Sequence, residues 1–205
     1  LLAGSPDFAY LTPYHQVMAH RAQGYLPLVH ERALLTGILV VRRDDPIRSV
    51  QELQGRELAF PAPNAFGASL WMRALLAERE KVQIVPTYVQ THSNVYRQVI
   101  RGKAAAGGGV NHTLQQERDE VRADLRILLE TPGVPPHPLS AHPRVDAGLQ
   151  VAMTEAVLAL AKEPAGAALL RAIEMPQPVA ANHARDYRPL ESYKLEKYVV
   201  TSRAA

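Results

Sequence analysis

Short apolar runs alternate along this chain with stretches whose apolar residues recur at helical spacing. Phe8–Leu11 predicts a strand, and Pro13–Ala22 a helix with proline in its first turn. Tyr25–Val29 predicts a short strand, and Leu34–Arg42 a longer, nearly continuous apolar one. Asp44-Asp45-Pro46 breaks that run, and Ser49 caps a short helix, Val50–Leu53, stopped by Gly55. Strand Glu57–Phe60, helix Phe66–Glu80, strand Gln83–Val89 and helix Ser93–Arg101 follow, the last ended by Gly102. Ala104–Val110 is a small-residue strand leading into helix Asn111–Glu117, and Leu125–Glu130 is a strand closed by Thr131-Pro132-Gly133. After a short extended piece, His137–Ala141, helices are predicted near Asp146–Lys162 and Pro164–Ile173. The remainder, Met175 to Ala205, reads as irregular with one or two helical turns.

This alternation predicts an α/β fold with mostly parallel, buried strands. The Asp44-Asp45-Pro46 break and the Pro132–Pro138 region are the places for the chain to cross between two lobes. They predict one lobe made of residues 1–42 with 135–205 and a second made of residues 43–134. No internal repeat or low-complexity segment interrupts the pattern.

Residues 55–76 carry the most chemistry. Strand Glu57–Phe60 hands over through a Pro-broken turn to a helix opening near Ala65 or Phe66. Such a junction aims the unpaired N–H groups and the positive dipole end of a helix at one spot, which favours anions. The loop offers Asn64, Ala65 and Phe66 where an anion site would usually add hydroxyls.

Composition narrows the classes. The 205 residues are 47% hydrophobic and 21% charged, an ordinary globular mix. The net charge of +3 comes from scattered Lys and Arg, so no basic face for nucleic acid is predicted. The chain has no cysteine, which excludes a disulfide scaffold, a thiolate metal site and a Cys nucleophile. The eight histidines match no zinc spacing, and no Ser–His–Asp set or carboxylate pair stands at informative spacing, so neither an enzyme nor a metal or other cofactor is expected. No apolar run reaches the roughly 18 residues needed to span a bilayer.

Several segments in order resemble one family. They are Gly4-x-x-Asp7-Phe8-Ala9-Tyr10-Leu11-x-Pro13-Tyr14, Gly37-Ile38-Leu39-Val40-Val41-Arg42-x-Asp44, Ser49-Val50-Gln51-Glu52-Leu53-Gln54-Gly55-Arg56 and Phe60-Pro61-Ala62-Pro63-Asn64-Ala65-Phe66-Gly67-Ala68-Ser69. Thr91-His92-Ser93-Asn94-Val95-Tyr96, Gly102-Lys103-Ala104-Ala105-Ala106-Gly107-Gly108-Gly109, Pro132 to Pro138 and Asp186-Tyr187-Arg188-Pro189 continue the series. Together they resemble the phosphate/phosphite/phosphonate-type periplasmic solute-binding proteins. The resemblance implies a type II periplasmic-binding-protein fold: two α/β lobes joined by crossover strands, closing by a hinge on a ligand in the cleft between them. It implies a periplasmic protein, soluble or lipid-anchored through a segment outside this sequence, that serves the permease of an ABC-type transporter. It also implies a strand–helix–strand upstream of Leu1, without which the first lobe's sheet would be short of strands.

The resemblance also implies where a ligand would be held. Asn64, Ala65, Phe66 and Gly67 match a loop that in the family carries a Ser-Thr-Ser-Gly-like run, and His92 matches a histidine that touches the ligand anion. Gly107-Gly108-Gly109-Val110-Asn111 ends a strand, so Gly109 and Asn111 are either beside the ligand or part of tight sheet packing. Leu35 stands where family members often have a Tyr, while Tyr10, Thr12 and Tyr14 lie on the first lobe's loop and helix start, with ring faces and hydroxyls to offer. With Leu35 and Phe66 predicted to face the cleft, two ligand classes stay open. One is an oxyanion such as a phosphonate. The other is an apolar, lipid- or sterol-like molecule, because each donor missing from a buried dianion costs about 1–3 kcal/mol or more. An extracellular sensor domain on the same fold is a further alternative.

Overall fold

The structure is a computed structural model that describes residues 3–201. In chain order the elements are β1 (Phe8–Tyr10), α1 (Pro13–Gln23), β2 (Leu26–Glu31), β3 (Gly37–Arg42), a 3₁₀ turn (Val50–Leu53) and β4 (Glu57–Phe60). A π turn (Phe66–Trp71) then runs into α2 (Met72–Glu78), followed by β5 (Val85–Tyr88), α3 (His92–Ile100), β6 (Ala106–Val110), α4 (Asn111–Gln115), α5 (Asp119–Ala123) and β7 (Leu125–Glu130). The rest comprises β8 (Leu139–Ala141), α6 (Ala147–Leu160), α7 (Pro164–Ala172), β9 (Pro178–Ala180), α8 (His183–Asp186) and 3₁₀ turns at Arg188–Tyr193 and Leu195–Tyr198. β9 and α5 are elements that the sequence pattern does not reveal, whereas short helical turns in the tail were expected.

The chain forms two compact units, Leu1–Leu34 with Val134–Ser192 and Leu35–Gly133 with Tyr193–Ala205. This corrects the predicted boundary at residue 42 and the assignment of the tail. β3 belongs to the second unit because its two edges are taken by β6 and β7. The Asp44-Asp45-Pro46 break is a turn inside that unit. There Arg43 N–H donates to Asp124 O at 2.7 Å and Arg126 donates to the carbonyls of Asp45 and Ile47.

The first unit is a four-stranded sheet in the order β1-β8-β2-β9, antiparallel throughout. Its strands are short and its apolar clusters small: Leu11, Ala19 and Tyr25 in one, Leu28, Ala141 and Val145 in the other. Polar contacts supplement them. Fully buried Gln16 donates to Tyr25 O at 3.0 Å and accepts from Ser140 Oγ at 2.6 Å. Such pairing keeps a buried amide from costing its desolvation. Arg144 spreads its guanidinium over Asp7 Oδ1, Gly4 O and Ser5 O, each at 2.6 Å.

The second unit is a five-stranded mixed sheet, β5-β4-β6-β3-β7. Only β4–β5 and β4–β6 run parallel, whereas β3 is antiparallel to both its neighbours. The expectation of mostly parallel sheets is corrected here. A continuous apolar run reports burial on both faces, not strand direction. β3 shows this: Leu39 and Val41 join a core with Phe60, Met72 and Leu76, while Ile38 and Val40 join another with Val95, Tyr96 and Val99. The glycine run of β6 serves those two layers. A Cβ on Gly107 would lie 2.4 Å from Val95 Cγ1, and one on Gly108 would lie 2.0 Å from Ala68 O.

Candidate functional site

The parallel trio of the second unit sets up one edge. Because β4 runs parallel to β5 and to β6, their carboxyl ends, Phe60, Tyr88 and Val110, lie on the same side of the sheet. Beyond those ends the chain opens the π turn at Phe66, α3 at His92 and α4 at Asn111. Open α/β sheets bind ligands beyond the carboxyl ends of their parallel strands. Two of the helical starts are long enough to present unpaired donors: the stretch 66–78 and α3.

The first start is wide. The N–H groups of Ser69 and Leu70 both donate to Ala65 O at 2.9 Å. Phe66, Gly67 and Ala68 supply the first-turn N–H groups, which have no acceptor within the helix. The turn also sits hard against β3, since a Cβ on Gly37 would approach Gly67 O to 2.4 Å. At the second start, Thr91 Oγ1 accepts from Asn94 N–H at 3.1 Å, and His92 and Ser93 provide the first-turn donors. Ser93 Oγ itself donates to Glu117 Oε1.

The second unit brings Ala65, His92 and Asn111 to this edge, with His92 half-buried. Asn111 ties it to the entry of β3: its N–H donates to Thr36 O at 2.9 Å and its Oδ1 accepts from Thr36 N–H at 3.3 Å. Nearby, Thr131 Oγ1 accepts from Gly37 N–H at 2.9 Å. Gly109 is a packing residue, because a Cβ there would lie 2.4 Å from the Tyr96 hydroxyl, which is itself 2.8 Å from Thr113 Oγ1. Burial pushes the Tyr96 phenol up to about 12, the Thr113 hydrogen bond opposing it and the charge of Glu117 adding to it.

Leu35 and Phe66 are core residues of the second unit, which corrects their expected exposure to ligand. Each is 4% exposed. Phe66 stacks on Trp71 with ring centroids 5.4 Å apart, and Leu35 Cδ2 covers Gly67, 2.7 Å from where a Cβ would stand. Apolar side chains in a turn of this kind fill the interior when a neighbouring aromatic ring offers a surface. The apolar-ligand expectation loses the residues on which it rested. Asn64 is also otherwise engaged: its Nδ2 donates to Val200 O at 2.8 Å and its Oδ1 accepts from Val200 N–H at 2.9 Å.

Tyr10, Thr12 and Tyr14 lie in the first unit. Thr12 is the N-cap of α1, accepting from His15 N–H at 3.2 Å. Tyr14 follows it in the first turn and is half-buried. Tyr10 donates to Ile173 O at 3.2 Å and stacks on His137 at 5.7 Å. Burial first, then the charges of Glu174 and Glu31, push its phenol up to about 12. Sequence reasoning missed the tail residues of the second unit: Tyr193 and Tyr198, with their partners Trp71, Arg73 and Glu78, and Val200, which pairs with Asn64. The lone tryptophan beside an arginine was the available signal. Among the described residues no group of three or more His, Asp or Glu is placed to hold a metal ion, and no helix is long and apolar enough to cross a membrane.

Residues 1–187 match the family described as ABC transporter, phosphonate, periplasmic substrate-binding protein. The chain belongs to this family. Family members are periplasmic, bind small-molecule ligands and work with ABC permeases. No curated protein sequence matches the chain. Among solved structures it is similar to XAC2383 from Xanthomonas citri bound to ATP, with a TM-score of 0.83, 20% identity, and 98% of this chain and 82% of that one covered. It is also similar to PhnD1 from Prochlorococcus marinus in complex with methylphosphonate, with a TM-score of 0.77, 14% identity, and 96% and 80% covered. A binding protein component of an ABC phosphonate transporter from Pseudomonas aeruginosa gives 0.75, 12% identity, and 96% and 70% covered. At these identities the likeness establishes the periplasmic-binding-protein fold.

Proposed function

We propose that the protein captures a small oxyanion and delivers it to an ABC permease without chemical change to the ligand. The observation that supports this is the shared edge of the second unit, where β4, β5 and β6 end together and the helical starts at Phe66 and His92 follow. Backbone N–H groups and two helix dipoles are the donors there, with the His92 imidazole beside them. The loop lacks the hydroxyls of its family, so the ligand is held mainly by backbone donors and by His92. That makes a compact phosphonate or phosphate the fitting class, since few side chains reach outward to grip a larger polar body. The similar PhnD1 was solved with methylphosphonate, which makes that compound the first probe.

Isothermal titration with methylphosphonate and with inorganic phosphate tests the reading. Saturable one-to-one binding that weakens as salt rises is expected, and His92→Ala should weaken it at least about tenfold, roughly 1.4 kcal/mol. Absence of binding by either anion to the folded protein would overturn the proposal.

A further inference from the structure

The tail of the chain lies on the loop that opens the helical stretch 66–78. Leu195 is buried, and Tyr193 packs edge-on against Trp71 with ring centroids 5.0 Å apart. Arg73 donates to Tyr198 O at 2.8 Å with the same nitrogen that reaches Pro63 O at 2.6 Å, so one guanidinium joins the tail to the loop. Tyr198 donates its hydroxyl to Glu78 Oε1 at 2.8 Å, and Lys197 Nζ stands 3.9 Å from the same carboxylate. Asn64 completes the attachment by pairing its amide with both backbone groups of Val200.

That last contact bears on the ligand. Asn64 is the one residue among 64–67 whose side chain can hydrogen-bond, and the tail consumes both ends of its amide. Of the tail's other anchors, Leu195, the Tyr193–Trp71 contact and the Arg73 bond to Tyr198 O are buried or half-buried, and the rest are peripheral. Glu78, Tyr198 and Lys197 meet at the surface, where such contacts contribute little and exchange readily with water. The buried Trp71 indole N–H has no hydrogen-bond partner beneath Tyr193, a cost the docked arrangement carries.

We propose that residues 193–201 form a detachable strap that competes with the ligand for the loop at 61–67. With the strap docked, Asn64 is spent on Val200. With the strap released, its amide N–H becomes a side-chain donor at the opening of the helical stretch, and the oxyanion takes the place of the Val200 carbonyl. Strap and ligand are then alternative partners of one loop, and the strap lowers the apparent affinity by the fraction of time it is docked. This rests on the oxyanion reading above.

Trp71 is the only tryptophan in the chain and touches the strap through Tyr193, so its emission reports docking. Methylphosphonate is titrated into the parent protein, into Val200→Pro, which removes the N–H that Asn64 accepts, and into Tyr198→Phe, which removes the hydroxyl that Glu78 accepts. Trp71 emission in the parent protein is expected to shift to the red on binding. Val200→Pro should already be shifted without ligand and should bind methylphosphonate about three- to tenfold more tightly, and Tyr198→Phe should change both readouts in the same direction by less. Equal or weaker binding by both variants, with circular dichroism and unfolding midpoint unchanged for Tyr198→Phe, overturns the strap proposal and leaves the oxyanion reading standing. Binding by neither the parent nor the variants overturns the oxyanion reading and the competition with it.

Discussion

The two units use different physics to hold their shape. The second stacks two apolar layers on a five-stranded sheet, and Gly37, Gly107, Gly108 and Gly109 of that sheet sit at clearances a methyl group would violate. The first has a four-stranded sheet of short strands, two small apolar clusters and a buried polar relay through Gln16 and Ser140. Its long helix α6 has no buried residue, although Leu149, Val151, Val157 and Leu160 lie along it. The difference teaches where rigidity resides. The proposed ligand edge, made of backbone N–H groups, calls for a tightly packed frame, and the packing of the second unit is of that kind. The first unit depends on hydrogen bonds and histidines, which respond to solution conditions.

The largest effect should come from breaking the tighter frame. Gly108→Val would drive its side chain into Ala68 O and Phe60, and it should destabilise the second unit by at least about 3 kcal/mol, read as a lowered urea midpoint. A parent-like midpoint would show that the glycine clearance is not what holds β6 against the helical stretch.

A smaller effect, of the order of 1 kcal/mol, should come from pH and fall on the first unit. His183 is buried, stacked on His20 with ring centroids 3.5 Å apart, and neither of its ring nitrogens has a hydrogen-bond partner. Burial, then His20 and Arg188, push its pKa down to about 4. The unfolded chain takes up this proton near the ordinary value of about 6.5, so between those values the unfolded state binds more protons than the folded one. Stability should therefore rise with pH from about 4 to about 6.5 and level off above. Asp186 next to it is held low: burial alone would raise it, but the Arg185 hydrogen bond, the Asn182 N–H and His30 outweigh that. Its own loss of stability falls at lower pH than the histidine window. Thermal melts of the parent and of His183→Phe across pH 5 to 8 check this, since the variant should lose most of the slope.

The smallest effect sharpens the contrast from the ligand side. Thr12→Ala removes the N-cap of α1 and should cost about 1 kcal/mol or less of first-unit stability, with methylphosphonate affinity at saturating folded protein unchanged. A loss of affinity without a loss of stability would make Thr12 a ligand contact.

Much of the fold was legible where one local rule dominates. Strands Glu57–Phe60 and Leu125–Glu130 were read to the residue, and Ser49 caps its short helix with the Glu52 carboxylate returning to it. The regular helix expected from Phe66 opens instead as a π turn, because Ala65 O accepts two N–H groups where the chain presses against Gly37. The residues expected at the site divide by where the fold puts them. Ala65, His92 and Asn111 stand beyond the ends of parallel strands, whereas Phe66 and Leu35 turned inward and Gly109 proved to be a seat for Tyr96. Whether an aromatic ring at a helix start faces a ligand or a core depends on whether a second ring such as Trp71 awaits it, which no local pattern reports.

The sequence by itself determined the family, the α/β class and the loop at which a helix start meets a strand end. These follow from period, capping chemistry and the order of motifs, all properties of neighbouring residues. The tertiary structure alone decided that β3 runs antiparallel to its neighbours, that residues 193–201 belong with the second unit, and that Asn64 holds Val200 across 136 positions of chain. Strand direction, unit membership and long-range pairing are set by which surfaces remain uncovered once the local elements have formed. That choice is made between distant segments competing for the same burial, and it leaves no local trace.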